Sequence, residues 1–122
     1  MDKNLLLVGS VAAFLAVALG AFGAHGLRSR LSPEMLAVFE TGVRYHMYHA
    51  LAIIATALVL GRMSGWLVSA AGWCFAAGIV LFSGSLYALA LTGVTILGAI
   101  TPIGGVAFLL GWAFLALAAA SS

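Results

Sequence analysis

Charge is scarce in this sequence. Its 122 residues include three acidic and five basic side chains, together 7% of the chain, whereas soluble domains carry about 25% charged residues. Hydrophobic residues reach 65%, and the mean hydropathy is +1.23. A soluble domain of this length could not bury so much apolar surface, because small domains keep a large share of their surface exposed. We therefore predict an integral membrane protein with one domain, residues 1–122.

Cysteine and clustered charge are also lacking. The only cysteine, Cys74, lies within an apolar run, so a disulfide framework or a CxxC metal site within one chain is excluded. The net charge of +2 comes without a Lys/Arg cluster, and the sequence therefore gives no indication of nucleic-acid binding. No nucleophile–base–acid set is evident and no Asp lies in an apolar run, so the sequence leans against an enzyme.

Four apolar runs are candidates for membrane-spanning helices, each of which needs about 20 residues to cross a bilayer core of about 30 Å. We predict spans at about residues 5–24, 40–61, 66–91 and 96–120. The first run also has features of a secretory signal peptide, but we expect it to be retained as a span. Short loops make sequential neighbours antiparallel. The predicted fold is thus an all-α four-helix transmembrane bundle with up-down topology and both termini on one side.

The second span differs from the others because its purely apolar part is too short to cross alone. The tripeptide Ser32-Pro33-Glu34 is typical of a helix start, with a serine N-cap, a proline in the first turn and an acid near the positive end of the helix dipole. We predict one helix from Pro33 to about Gly61. Its beginning, residues 33–40, is expected to lie at the membrane interface.

Small residues recur along the predicted spans, many of them four residues apart. Because lipid supplies no hydrophobic force between helices, close backbone contact must hold them together. These stripes could serve packing within the chain or a homo-oligomer. Together with a proline that removes one backbone donor, the predicted packing positions are Ala12, Ala16, Gly20, Gly23, Gly72, Gly84, Pro102, Gly104, Gly105 and Gly111.

Polar side chains gather where the second span enters the membrane. At 100° per residue, Thr41, Tyr45 and His49 share one helix face, and an ionisable residue at this depth should face the bundle and find a partner. Short loops bring polar groups of the other spans to the same leaflet. His46 points about 60° away from His49 and is left outside the cluster. The predicted cluster comprises His25, Thr41, Tyr45, His49, Ser83, Ser85, Tyr87 and Thr101.

Four stretches, ALGAFGAHGL, TGVRYHMYHALA, LFSGSLYALALTG and GAITPIGGVAFLLGW, resemble a family of small membrane proteins known as domain of unknown function four-twenty-three. The resemblance covers about residues 5–117. It implies a four-span helical protein of the bacterial inner membrane without an established biochemical activity. The matching positions include Gly42 and Trp112, whereas His46 falls outside the pattern. Some relatives carry a basic tail that this chain lacks, so the resemblance gives only weak support for cytoplasmic termini, and the basic residues near the span ends decide nothing.

Three functions are compatible with the polar cluster. The first is a structural or accessory membrane protein in which the cluster locks helices together. The second is a protein that binds or conducts a small solute, an ion or a lipid head group. The third is a cofactor-bearing redox protein, although no motif calls for a cofactor or a metal, and we predict neither. The expected partners are membrane lipids, with a homo-oligomer or a larger membrane complex as further candidates.

Overall fold

A computed structural model describes residues 2–63 and 65–122, and these residues fold into helices joined by short connections, without a strand among them. A π-helical turn at Ile79–Ser83 joins α3 to α4, and a 3₁₀ turn at Thr95–Ala99 precedes α5. The α-helices are α1 (Lys3–His25), α2 (Pro33–Val59), α3 (Trp66–Gly78), α4 (Gly84–Thr92) and α5 (Thr101–Ala120).

Helix starts follow local sequence signals. The Oγ atom of Ser32 accepts a hydrogen bond of 3.2 Å from the backbone N–H of Met35, which confirms the predicted N-cap of α2. The span predicted at about residues 96–120 corresponds to the helical segment Thr95–Ala120, in which a 3₁₀ turn comes first and α5 begins at Thr101. Pro102 explains this start, because a proline lacks the N–H group and is tolerated in the first turn of an α-helix.

Three helical segments of the described chain are long and apolar enough to cross a membrane: Lys3–His25, Trp66–Thr92 and Thr95–Ala120. The polar stretch at residues 44–49 lowers the hydropathy of α2, whose crossing therefore stays a prediction. Large apolar side chains cover the outside of the protein, with Phe14 73% exposed, Val80 70% and Ile96 75%. Because soluble monomers rarely expose extended apolar surface, this exterior is suited to lipid.

Glycines of α1 bring its backbone against α2. A Cβ atom added at Gly9 would lie 2.7 Å from the Ile54 side chain, and one at Gly23 would lie 2.9 Å from the Phe39 ring. Early residues of α1 thus meet late residues of α2, so the two helices run in opposite directions. Ala16 is also buried, and its position seven residues from each of these glycines places it on the same face of α1.

Glycines and phenylalanines interlock where the segment Trp66–Thr92 packs against α5. The Phe108 ring occupies the space next to Gly78, and the Phe75 ring lies 2.5 Å from where a Cβ of Gly111 would be. A Cβ at Gly104 would overlap the backbone of Phe82. The absence of a side chain at these glycines therefore sets how closely the two segments approach.

The π-helical turn changes which small residues face a neighbour. Gly72 packs against α1 and α2, since a Cβ there would lie 2.7 Å from Thr56 Oγ1 and 2.8 Å from Leu5. Gly84 was expected to continue this stripe, yet a Cβ there would meet only the Ile79 carbonyl, 4.0 Å away in the same segment. A π turn acts as an inserted residue and so shifts the helix face by about 100°, which breaks the period of four.

The adjacent glycines of α5 provide a matched test of this packing. We expect Gly104→Ala to lower stability by about 1–3 kcal/mol, the usual cost of overpacking, because the new methyl group would overlap the Phe82 backbone. Gly105→Ala should be close to neutral, since its Cβ would meet only the Phe82 ring at 3.9 Å. Thermal unfolding in detergent measures both variants, and equal melting temperatures would contradict the described contact.

Candidate functional site

Two buried histidines of α2, His46 and His49, form the centre of the candidate site. They are 4% and 5% exposed, respectively. Their spacing of three residues turns them about 60° apart around the helix axis. As a result, His46 contacts α4 on one side of α2, and His49 contacts α5 on the other.

Both ring nitrogens of His49 have a partner. Nδ1 lies 2.7 Å from the backbone carbonyl oxygen of Tyr45, and the indole N–H of Trp112 donates to Nε2 over 3.1 Å. A carbonyl only accepts and an indole N–H only donates, so these partners define a neutral imidazole with its proton on Nδ1. A second proton on Nε2 would face the Trp112 N–H and would have no acceptor.

Aromatic rings surround His49 on its remaining sides. The Phe108 ring is stacked on the imidazole with a centroid distance of 3.6 Å and an interplanar angle of 8°. Phe75 lies 5.6 Å away and is tilted against the imidazole. These contacts leave the His49 side chain almost completely buried.

His46 forms the second polar contact of α2. Its Nδ1 atom and the hydroxyl of Tyr87 are hydrogen-bonded at 2.8 Å, and the Tyr87 ring packs on Phe39 with a centroid distance of 5.0 Å. Gly42 makes this approach possible, since a Cβ there would lie 2.8 Å from the tyrosine ring. Tyr87 thereby joins α4 to α2 through both its ring and its hydroxyl.

Two serines at the π-helical turn form hydrogen bonds to the two neighbouring helices, α2 and α5. Ser83 is fully buried and donates to the carbonyl of Gly42 in α2 over 2.7 Å. Ser85 donates to the Phe82 carbonyl over 2.9 Å, and its Oγ lies 2.6 Å from Oγ1 of Thr101 in α5. Because Ser85 has a single hydroxyl proton, Thr101 is the donor in this last bond.

The structure distributes the predicted cluster residues over several separate contacts. Tyr87, Ser83 and the Ser85–Thr101 pair bond across helices, as does His49. By contrast, Thr41 bonds the carbonyl of Ala37 in its own helix. His25 is exposed at the end of α1, and Tyr45 is 38% exposed, although its backbone carbonyl holds His49.

Sequence reasoning left two partners out of the cluster. His46 was set aside because of its direction, but that direction leads to Tyr87. Trp112 appeared only as a position of the family resemblance, and its N–H group is the donor to His49. The partners in these two pairs lie 41 and 63 residues apart. The sequence pattern covers only neighbouring residues, such as His46 and His49, and therefore does not indicate these pairs. In residues 2–63 and 65–122, no group of three His, Cys, Asp or Glu side chains is arranged to hold a metal ion.

An open groove of about 600 Å³ lies between α2 and α5. His49 and Trp112 lie at one end of this groove and Pro102 at the other, while Tyr45 and Tyr48 line its α2 side. Nearly all of its lining is apolar.

An apolar exterior combined with internally paired polar groups defines a small helical membrane protein. The comparisons with known proteins agree. The chain belongs to the family described as "Protein of unknown function (DUF423)", whose family profile matches residues 19–105, which confirms the resemblance seen in the sequence.

Similar proteins match along nearly their whole length. The UPF0382 membrane protein YwdK of Bacillus subtilis is 52% identical over 118 residues, which cover 96% of this chain and 96% of that protein. The UPF0382 membrane protein SERP0230 of Staphylococcus epidermidis is 50% identical over 119 residues, covering 95% and 94%. The UPF0382 membrane protein SAB0533 of Staphylococcus aureus is 47% identical, with the same coverage. No solved structure matches.

The two tyrosines at positions 87 and 48 allow a matched test of the polar contacts. We expect Tyr87→Phe to lower stability by about 0.6–2 kcal/mol, because the change leaves Nδ1 of His46 without its hydrogen-bond partner but preserves the ring packing. Tyr48→Phe should change stability by less than about 0.5 kcal/mol, since the Tyr48 side chain is 55% exposed. Denaturant titration in mixed micelles measures both. A Tyr87→Phe variant as stable as Tyr48→Phe would argue against the His46 contact.

Proposed function

We propose that this chain is a structural or accessory protein of the bacterial inner membrane, built as a four-helix bundle with up-down topology. In this proposal the four rods are α1, α2, the segment Trp66–Thr92 and the segment Thr95–Ala120. The opposite directions of α1 and α2, and of the segment Trp66–Thr92 and α5, support the topology. The role of the polar residues is to hold the rods together.

One observation carries the structural role: in the described part of the chain, every buried side-chain nitrogen or oxygen has a hydrogen-bond partner. Groups that bind a solute or pass ions need free donors or acceptors, or water, along their path. Here the buried imidazoles, hydroxyls and indole N–H are used by one another and by backbone carbonyls. The interior is therefore suited to holding helices rather than to conduction.

The arrangement around His49 argues against the alternative of a proton or ion pathway. Its two nitrogens are occupied by Tyr45 and Trp112, and Phe108 covers its face. A proton carrier in a membrane must accept a proton and release it to a polar neighbour. Accepting a proton here would break the Trp112 bond, because the other ring nitrogen is already held by the Tyr45 carbonyl.

Of the expected partners, membrane lipids are the ones that this proposal includes. Two members of the small-residue stripe of α1, Ala16 and Gly23, are buried within the chain, so these positions are not available to a second copy. A larger membrane complex would have to contact the exposed apolar faces. We place both termini in the cytoplasm, on the side of Lys3 and Arg62, as part of the same proposal.

Cysteine accessibility tests whether the interior is dry. In a Cys74→Ala background, we expect Ser83→Cys to be unreactive toward a water-soluble, membrane-impermeant maleimide in folded protein in vesicles, because Ser83 is fully buried in a packed contact. The same variant should react fully after denaturation in detergent. Arg28→Cys, at an exposed position in the α1–α2 connection, is the accessible control.

Two outcomes of the labelling would contradict the proposal. Rapid labelling of Ser83→Cys in the folded protein would mean that water reaches the polar contacts, and a permeation function would then be favoured. Labelling of Arg28→Cys only from the cytoplasmic side would reverse the proposed orientation, whereas labelling only from the opposite side is the expected result.

A further inference from the structure

The groove between α2 and α5 has the shape and lining of a site for one lipid chain. It follows α5 from Pro102 to Trp112, which corresponds to about 15 Å along the helix axis. Phe82, Val106 and Phe108 contribute to its walls. Its side opens toward the surrounding lipid, so an acyl chain can enter without passing through water.

A basic residue of α2, Arg44, stands next to the groove-lining tyrosines in the sequence. Arg44 is exposed and precedes Tyr48 by four residues on α2, so the two side chains are neighbours on the same helix face. It also directly precedes Tyr45, and both tyrosines line the groove. Glu40 lies one turn further toward the helix start, so its carboxylate is also a neighbour of the Arg44 guanidinium on the helix surface. A guanidinium beside phenol hydroxyls is well suited to a phosphate group.

We propose that this groove binds one anionic phospholipid, with an acyl chain against Trp112 and the phosphate on Arg44. The apolar lining matches the chain, and the exposed guanidinium of Arg44, one turn before Tyr48, matches the head group. This inference goes beyond the structural role proposed above, because it assigns a ligand to a surface that the helix contacts leave free.

Quenching of tryptophan fluorescence by brominated lipid chains tests the proposal directly. Trp66→Phe/Trp73→Phe leaves Trp112 as the probe in the groove, and Trp66→Phe/Trp112→Phe leaves Trp73 as the matched control. Trp112 and Trp73 are both 47% exposed, but only Trp112 lines the groove. The variants are reconstituted in phosphatidylcholine bilayers that contain a minor fraction of phosphatidylglycerol with brominated chains.

We expect Trp112 to be quenched as if phosphatidylglycerol were enriched about fivefold over its bulk fraction, the preference that one cation supplies for an anionic lipid. Trp73 should follow the bulk fraction. Arg44→Gln should remove the enrichment at Trp112, and Arg44→Lys should retain part of it. Equal quenching of Trp112 and Trp73, or enrichment that persists in Arg44→Gln, would overturn the proposal.

A groove-filling variant distinguishes a bound chain from a general charge effect. Gly105 lines the groove, and a Cβ there would meet only the Phe82 ring at 3.9 Å, so Gly105→Leu should fold with its new side chain in the groove. We expect this variant to lose the enrichment although Arg44 is intact, with its melting temperature as the control for folding. Enrichment that persists in a folded Gly105→Leu protein would contradict chain binding.

Two further outcomes separate this proposal from the structural one. If Trp73 were quenched but Trp112 were protected from every lipid, a protein partner would cover the groove and lipid binding would be wrong. If neither tryptophan were quenched, the helices would not face acyl chains, and the membrane placement itself would fail.

Discussion

Hydrocarbon offers no hydrogen bonds, and this constraint governs the protein's interior. A polar side chain within a membrane must find its partner in the protein, because the alternative is an unsatisfied group in lipid. The polar part of α2 is paired inside the protein, where His46 bonds Tyr87 on one side and His49 bonds Trp112 on the other. Helix α2 is therefore held by hydrogen bonds to both α4 and α5, and its polar residues become contacts between helices.

Close helix approach and hydrogen bonding depend on each other in this chain. Tyr87 reaches His46 because Gly42 leaves room for its ring, and the same glycine offers its carbonyl to Ser83. The π-helical turn Ile79–Ser83 lies where this segment contacts α2, and it changes which side chains face each neighbour. Ser83 faces α2, whereas Ser85 faces Thr101 in α5. A regular α-helix would place the groups beyond the turn about 100° differently.

The buried polar groups and the exposed surface of the protein have different contacts. The buried polar groups form hydrogen bonds within the protein. By contrast, Arg44 and Tyr48 are exposed, and Tyr48 lines an apolar groove. The paired polar interior and the open groove meet at His49 and Trp112. Trp112 belongs to both regions: its N–H group holds His49, and its ring surface lines the groove.

Local patterns in the sequence were enough to predict the membrane class, the family, the start of α2 at Pro33 and the polar stretch that contains His49. Hydropathy and capping act over a few residues, so they can be read directly from the chain. The partners of the polar groups were decided only by the tertiary structure. Trp112 lies 63 residues from His49, and the π-helical turn moved Gly84 out of its expected contact. Such pairings depend on helix phase and crossing points, which result from all the packed surfaces together.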